Sequence, residues 1–425
     1  MKKLVLLSFI LVCISFRALA VEIFIPMDDQ QKNHLKAYGI TYWVLSKGGT
    51  ADWLLNYRGG SFAIPWTADV EAECNIRGVS YEIMPDAQYN NIKDQIANPS
   101  TNEDVVKLEK APKIAVYSPL VNGKSLFQPW DDAVTLVLKY AEIPYDVIYD
   151  DEVLQGKLPL YDWLHLHHED FTGQFGKFWA QYQNVEWYQK AVKVDQATAA
   201  RWGYEKPSQL KLAVAKKIRD FVAGGGYMFA MCSAPDSYDI ALAADGIDIC
   251  AEPFDGDPAD PNANSKLDYS KTFAFQNFSV DENPYSYVKS NIDIDVRTRA
   301  VPESNDYFTL FEYSAKWDPV PTMLTQDHVR IVKSFMGQTT AFRMQYVKPT
   351  VTVMGQNKGL NEAKYIHGEF GKGMWTFYGG HDPEDYQHFV NNPPTDLNLH
   401  PNSPGYRLIL NNVLFPAAKK KKQKT

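Results

Sequence analysis

From residue 113 the chain alternates between short apolar runs and longer amphipathic ones. "KIAVYSP" from Lys113, "YDVIYD" from Tyr145, "YDWLHLHH" from Tyr161 and "YMFAMC" from Tyr227 have the length of buried strands. Between them, "PWDDAVTLVLKYAEI" places Pro129 and two acids ahead of a helical apolar spacing, where the helix dipole favours them. "SQLKLAVAKKIRDFVAGGG" reads as a second helix, with basic residues late and glycine just past its end. Strands separated by helices of this length predict βαβ units and a parallel sheet, so the fold class is α/β. The pattern returns near the end in "KPTVTVMGQ" and "AKYIHGEFGKGMWTFYGGHDPEDY", where a Gly-Lys-Gly turn joins two strands and the second stops at Gly379-Gly380-His381.

The rest of the chain behaves differently. "GITYWVLSKGGTADWLLNYRGGSFAIPW" has apolar runs broken at two Gly-Gly pairs, as hairpins would be, and predicts a small β-rich unit over 21–110 that includes a polar linker. The α/β domain then covers 111–415. "AEPFDGDPADPNANSKLDYS" opens a long insertion over about 251–340. At the start, two lysines, an apolar run and Ala18-Leu19-Ala20 read as a secretory leader over 1–20. No later run reaches spanning length, so no transmembrane segment is expected, and an exported, periplasmic or extracellular protein is.

Eight of the 43 basic residues lie in the leader and in a basic tail over 416–425, which leaves the body near −16. Such a body repels phosphate backbones and argues against a nucleic-acid partner. A small-molecule substrate fits better, and oligomeric state is left open. Of the four cysteines, Cys74, Cys232 and Cys250 follow the leader. That is no disulfide framework, although one bridge would be allowed.

In an open parallel sheet, ligands bind beyond the carboxyl ends of the strands. Three chemically loaded strand ends meet that condition: "HLHHED" (His165 to Asp170), Cys232, and His381-Asp382. Cys232 is either a nucleophile held clear of the sheet at a helix start, with a neighbouring histidine as base, or a buried thiol that packs. His165 and His167 share a strand face about 6.5 Å apart and would share a zinc or other divalent ion, with Glu169, Asp170 or His381 as third ligand. His168 would face away if the strand continued. The candidate catalytic residues are therefore Cys232, His381 and Glu169. His167, His168, Asp170, Asp382 and Ser233 would bind substrate, and His165 with His167 would bind metal. Weaker candidates are an oxygen-rich loop at Asp255, Asp257, Asp260 and Asn262, read as a solvated insertion rather than a calcium site. An anion-binding turn at Arg58, read as a hairpin, and an Asp327–His328 pair complete them.

"GGGYMFAMCSAPDSYDIALAADG" resembles the nucleophile elbow of the class I glutamine amidotransferase-like superfamily, and "FGKGMWTFYGGH" resembles the closing strands of its trehalose-utilisation (ThuA-like) relatives. The resemblance covers about 113–250 and 345–390. It implies a flavodoxin-like parallel sheet with helices on both faces, Cys232 as nucleophile and His381 as base. The chain departs from the pattern at Ala230 and Ala234, where the family has glycine, and at Pro383, where it has glutamate. The whole chain is similar to exported bacterial proteins often labelled asparagine synthetase B. It lacks that chemistry: Val21 rather than cysteine would begin the mature chain, and the Ser-Gly-Gly-x-Asp-Ser pyrophosphate loop is absent. The expected activity is hydrolysis or acyl transfer on a small amide, ester or glycan-derived substrate. A metal-dependent hydrolase or sugar-handling protein and a non-catalytic envelope binding module are the alternatives.

Overall fold

A computed structural model describes residues 21–121, 124–125, 131–299 and 301–418. The leader expected over 1–20, Pro129 and the lysines at 419–425 lie outside the described residues. No helix among the described residues is long and apolar enough to cross a membrane.

The first unit is a five-stranded antiparallel sheet of β1 (Val21–Ile25), β2 (Ala51–Leu55), β3 (Ser61–Pro65), β4 (Glu82–Pro85) and β5 (Asp104–Leu108), in the order β4-β1-β3-β2-β5. It carries α1 (His34–Ser46), α2 (Ala68–Arg77) and α3 (Asp86–Ala97). The β-rich expectation needs correcting here. The first eight residues of "GITYWVLSKGG" belong to helix α1, which is capped by the Asn33 side chain on the amide of Lys36. Ten of its 13 residues are buried, so it has no polar stripe to display helical periodicity, and its β-branched and aromatic residues imitate a strand. The Gly59–Gly60 turn is the expected hairpin connection, and Arg58 is spent on ion pairs with Asp28 and Glu82 rather than on an anion.

The α/β domain is a ten-stranded mixed sheet. Its strands are β6 (Ile114–Tyr117), β7 (Asp146–Ile148), β8 (Trp163–Leu166), β9 (Tyr227–Met231), β10 (Tyr307–Leu310), β11 (Ile331–Lys333), β12 (Phe342–Arg343), β13 (Thr352–Asn357), β14 (Glu362–Phe370) and β15 (Gly373–Tyr378). The order is β11-β10-β13-β14-β15-β9-β8-β6-β7, with β12 paired to β14. The five strands from β15 to β7 are parallel, and the rest are antiparallel. Taken in chain order, the parallel strands run 2-1-3-4-5, the flavodoxin-like arrangement, with the switch point between β6 and β8.

Strand alternation sorts the two faces. Val116, Trp163, Phe229 and Met231 pack with α4 (Ala133–Tyr140) and α8 (Pro404–Leu414), whereas Ala115, Leu164, Leu166, Met228 and Ala230 pack with α6 (Pro207–Gly224) and α7 (Ala234–Ala243). A further helix, α5 (Glu186–Arg201), lies against α6. The first core continues without a break into Ile23, Tyr38 and Trp53 of the N-terminal unit. Arg407 of α8, fully buried, ties the two together by donating to the carbonyls of Met27 and Gly59 and to the Tyr38 hydroxyl.

Two boundaries shift. The 251–340 insertion is not only a surface excursion, because it supplies β10 and β11 at the sheet edge. The 416–425 tail starts too early, because Ala417 is buried and its carbonyl accepts from Glu109.

Glu22 in β1 yields one pH-dependent prediction. Burial, with Asp52 and Asp86 nearby, raises its carboxyl to about 7. A folded value above the unfolded one makes ionised Glu22 a cost that is absent below about pH 4.5 and complete above about pH 7. Glu22→Gln is therefore expected to stabilise the fold at pH 8 by about 1–2 kcal/mol, after discounting for solvent screening of a partly buried group. It is expected to be neutral at pH 4, as read by urea unfolding at both pH values.

Candidate functional site

Four strand ends on one rim converge at the switch point. The stretch after β6 supplies Asp131 and Asp132, β8 leads into His167 and His168, β9 into Cys232, and β15 into His381. Backbone bonds set this convergence: the Cys232 amide donates to the Gly380 carbonyl at 3.1 Å, and the Ala234 amide donates to the His167 carbonyl at 3.1 Å. Gly337 allows the approach of the insertion, since a Cβ there would lie 2.7 Å from the Gly380 carbonyl carbon.

Cys232 stands between β9 and α7 with φ +55°, in the left-handed region that a non-glycine residue occupies only when its surroundings impose it. Its sulfur and one ring nitrogen each of His167, His168 and His381 lie within 4.8 Å of one another. Cys232 is buried, yet it lines a cavity of about 270 Å³ together with His168, Lys177, Gln338, His381 and His388. Burial pushes the thiol up to about 12, although the backbone amides of Gln338 and Ser233 and the Lys177 ammonium favour the thiolate.

The histidines are ordered by carboxylates. Asp132 caps α4 by accepting from the amides of Val134 and Thr135, and contacts His165 Nε2 and His167 Nδ1, each at 3.1 Å. His167 Nε2 lies 3.3 Å from His381 Nδ1, and His381 Nε2 is buried with no hydrogen-bond partner. Burial, then the neighbouring imidazoles, holds His168 and His381 well below the ordinary histidine value, so both are neutral. Burial also opposes charge on His388, but Asp131 and Asp385 at 3.0 and 2.8 Å outweigh it and raise that imidazole. Lys177 is paired with buried Asp293.

The expected residues thus divide. Cys232, His167, His168 and His381 meet. His168 does not face away: the strand stops at Leu166, and the His167 and His168 rings stack with centroids 4.0 Å apart. His165 lies inside β8, fully buried, bonding the Phe229 carbonyl and Asp132 behind the cavity. Glu169 does not line the Cys232 cavity. Its carboxylate accepts from the His167 amide at 3.2 Å, burial raises it to about 7, and it faces a second cavity. Asp170 accepts from the amides of Thr172 and Gly176 and organises its own loop, and Asp382 accepts from the Glu384 amide, so both are turn-forming carboxylates. The Ser233 hydroxyl is buried outside the Cys232 cavity, and only its amide approaches the sulfur.

Asp131, Asp132 and His388 were missed by sequence reasoning. The acids of "PWDDAV" already had an explanation as helix-start residues. At the oxygen-rich loop, Lys206 sits among Asp248, Asp255 and Asp257, which fills it with a cation of the chain itself. Asp327 and His328 pair at 2.9 Å, but His328 stacks on His34 and neither residue lines the Cys232 cavity. All three described cysteines are free and buried. Buried groupings of His, Cys and Asp side chains able to hold a metal ion are present at the rim.

No protein-family model matches the chain, and no curated relative does. Among solved structures, a cytoplasmic protein from Salmonella typhimurium is 11% identical, with 72% of this chain and 100% of that one covered and a TM-score of 0.34. A second, from Salmonella typhimurium LT2, is 13% identical over the same shares with a TM-score of 0.35. A beta-galactosidase from Bacillus circulans sp. alkalophilus is 12% identical over 73% of this chain and 32% of its own, with a TM-score of 0.24.

Proposed function

We propose that the protein is an exported, amidotransferase-like hydrolase or acyl transferase that acts on a small amide, ester or glycan-derived substrate through Cys232. The observation that carries this reading is the φ of +55° at Cys232, on a strand-to-helix elbow, with three imidazoles within 4.8 Å of its sulfur. His381, whose Nε2 has no partner, takes the thiol proton as the sulfur attacks the carbonyl carbon, and returns it to the leaving amine or alkoxide. A thioester remains, which water hydrolyses with His381 again as base. His167, held by Asp132, supports the proton on His381. Because burial pushes the Cys232 thiol up to about 12, reactivity depends on this base rather than on a standing thiolate.

The test is turnover of a panel of nitrophenyl esters and nitroanilides by wild type and by Cys232→Ala and Cys232→Ser. The expected result is a loss of at least about 10³-fold in kcat for both variants. A Cys232→Ala protein that keeps wild-type rates sinks the nucleophile.

A second reading rests on the same four donors, because His167, His168, His381 and Cys232 offer three nitrogens and a sulfur at a spacing that suits zinc or another divalent ion. Such an ion would bind the thiolate directly. Elemental analysis separates the two readings: one equivalent of zinc in wild type, lost in Cys232→Ala and His381→Ala, makes Cys232 a ligand and not the nucleophile.

A further inference from the structure

A second cavity, of about 90 Å³, lies beside the first, with His168 and Phe178 contributing to both. One face of α5 supplies Trp187, Tyr188 and Asp195, and the loop after β8 supplies Glu169 and Phe175. The walls are aromatic and interlocked: Phe175–Tyr188 centroids are 6.2 Å apart, Trp187–Tyr188 5.9 Å and Phe178–Trp187 5.3 Å.

Two independent features point to a ligand. The Tyr188 hydroxyl, on a side chain only 5% exposed, is buried at this cavity with no hydrogen-bond partner. Such a group is costly unless something fills its place. The charge around the cavity is also one-sided. Glu169, Asp170 and Asp195 line it against one ammonium, Lys211, and Lys211 is shared with buried Asp150 at 2.8 Å as well as with Asp195 at 3.4 Å. Burial still raises Asp195 to about 6 despite Lys211. Lys211 already shows what these walls accept, with its Nζ 4.4 Å from the centroid of the Tyr149 ring.

We infer that this second cavity is a binding subsite for a primary ammonium group on a short alkyl stem, a site separate from the Cys232 chemistry. The ammonium has three donors, for the Tyr188 hydroxyl oxygen and the carboxylates, and its charge suits the aromatic faces of the walls. The volume is smaller than the roughly 150 Å³ of a cavity that admits benzene, which favours a short alkyl ammonium over a whole sugar ring or an aromatic amine.

Calorimetric titration of the full chain at constant ionic strength tests this, with n-propylammonium chloride as the probe and 1-propanol as its neutral match. Saturable one-to-one binding of the ammonium and none of the alcohol is expected. Tyr188→Phe and Glu169→Gln should each weaken it by about tenfold or more, the worth of one charge-assisted hydrogen bond. Circular dichroism confirms folding of each variant, and the wild-type comparison of the two probes stands if either variant fails to fold. Equal binding of the alcohol, no saturable binding of the ammonium, or unchanged affinity in both folded variants overturns the subsite. None of these readouts depends on turnover or on Cys232, so its failure is distinct from failure of the hydrolase reading.

Discussion

Replacing Asp132 by alanine is expected to cost about 3–5 kcal/mol of folding stability, the range for removing one partner from a buried charged network. One carboxylate here does three jobs. It caps α4 on the amides of Val134 and Thr135, and it contacts two imidazoles, His165 and His167, that are almost fully buried. Losing a cap costs about 0.5–2 kcal/mol, and each buried nitrogen left without its partner adds about 1–3 kcal/mol. Burial would raise this carboxyl, but His165 and His167 hold it well below the ordinary aspartate value. A depressed folded pKa means that its contribution is fully present above about pH 4 and is lost only as pH falls further. The deficit of Asp132→Ala in urea unfolding should therefore be the same at pH 7 and pH 5, and should shrink below pH 4. Asp132→Asn separates structure from catalysis. With its amide oxygen in the Oδ1 place it keeps both the α4 cap and the contact with His167, and its NH2 faces His165. Without the carboxylate charge behind the His167–His381 pair, kcat should fall by about 10²–10⁴-fold with much less loss of stability. Equal stability losses at every pH down to 2, or an unchanged kcat in Asp132→Asn, would show that the carboxylate does not order the histidines.

That carboxylate also marks the limit of what the sequence discloses. The α/β pattern after Lys113 is readable because each parallel strand is a short run buried on both faces and α6 is marked by Pro207 at its start and Gly225 beyond its end. The rim chemistry is readable for a related reason: strand ends in this topology share an edge, so Cys232, His381 and the His167–His168 pair could be brought together from strand boundaries alone. Asp132 could not, because N-capping accounts for an aspartate before an apolar run without reference to distant histidines. Adjacency to His168 in the sequence groups Glu169 and Asp170 with Cys232. Once β8 ends at Leu166 the chain turns, and both carboxylates end at the second cavity. Burial and exposure alternate along Tyr307–Leu310 at the sheet edge, a four-residue signal too short to stand out within a region rich in Asp, Asn and Pro.

The N-terminal unit offers the sharpest physical contrast between pattern and fold, and Gly39→Ala is expected to expose it. Gly39 lies mid-helix in α1, where alanine would ordinarily gain about 1 kcal/mol in helix propensity. Here a Cβ would sit 1.8 Å from the Ala141 backbone oxygen and 2.8 Å from its carbonyl carbon. No rotamer change relieves a clash with backbone, so α1 and the end of α4 must separate. Those two elements belong to the N-terminal unit and to the α/β domain, and their side chains share one core that includes Tyr38, Val134 and Leu138. Opening that seam should cost at least about 3 kcal/mol, the upper range for overpacking, and should leave much of the expressed protein insoluble. Gly48→Ala supplies the control. Its φ is +81° with nothing near an added Cβ, so it should cost only about 1 kcal/mol through backbone strain. If the N-terminal unit were a separable β module, the two alanines would behave alike. A large loss at Gly39 with a small one at Gly48, measured by urea unfolding in a single cooperative transition, is the expected outcome. Two well-separated transitions in the wild type would contradict the continuous core.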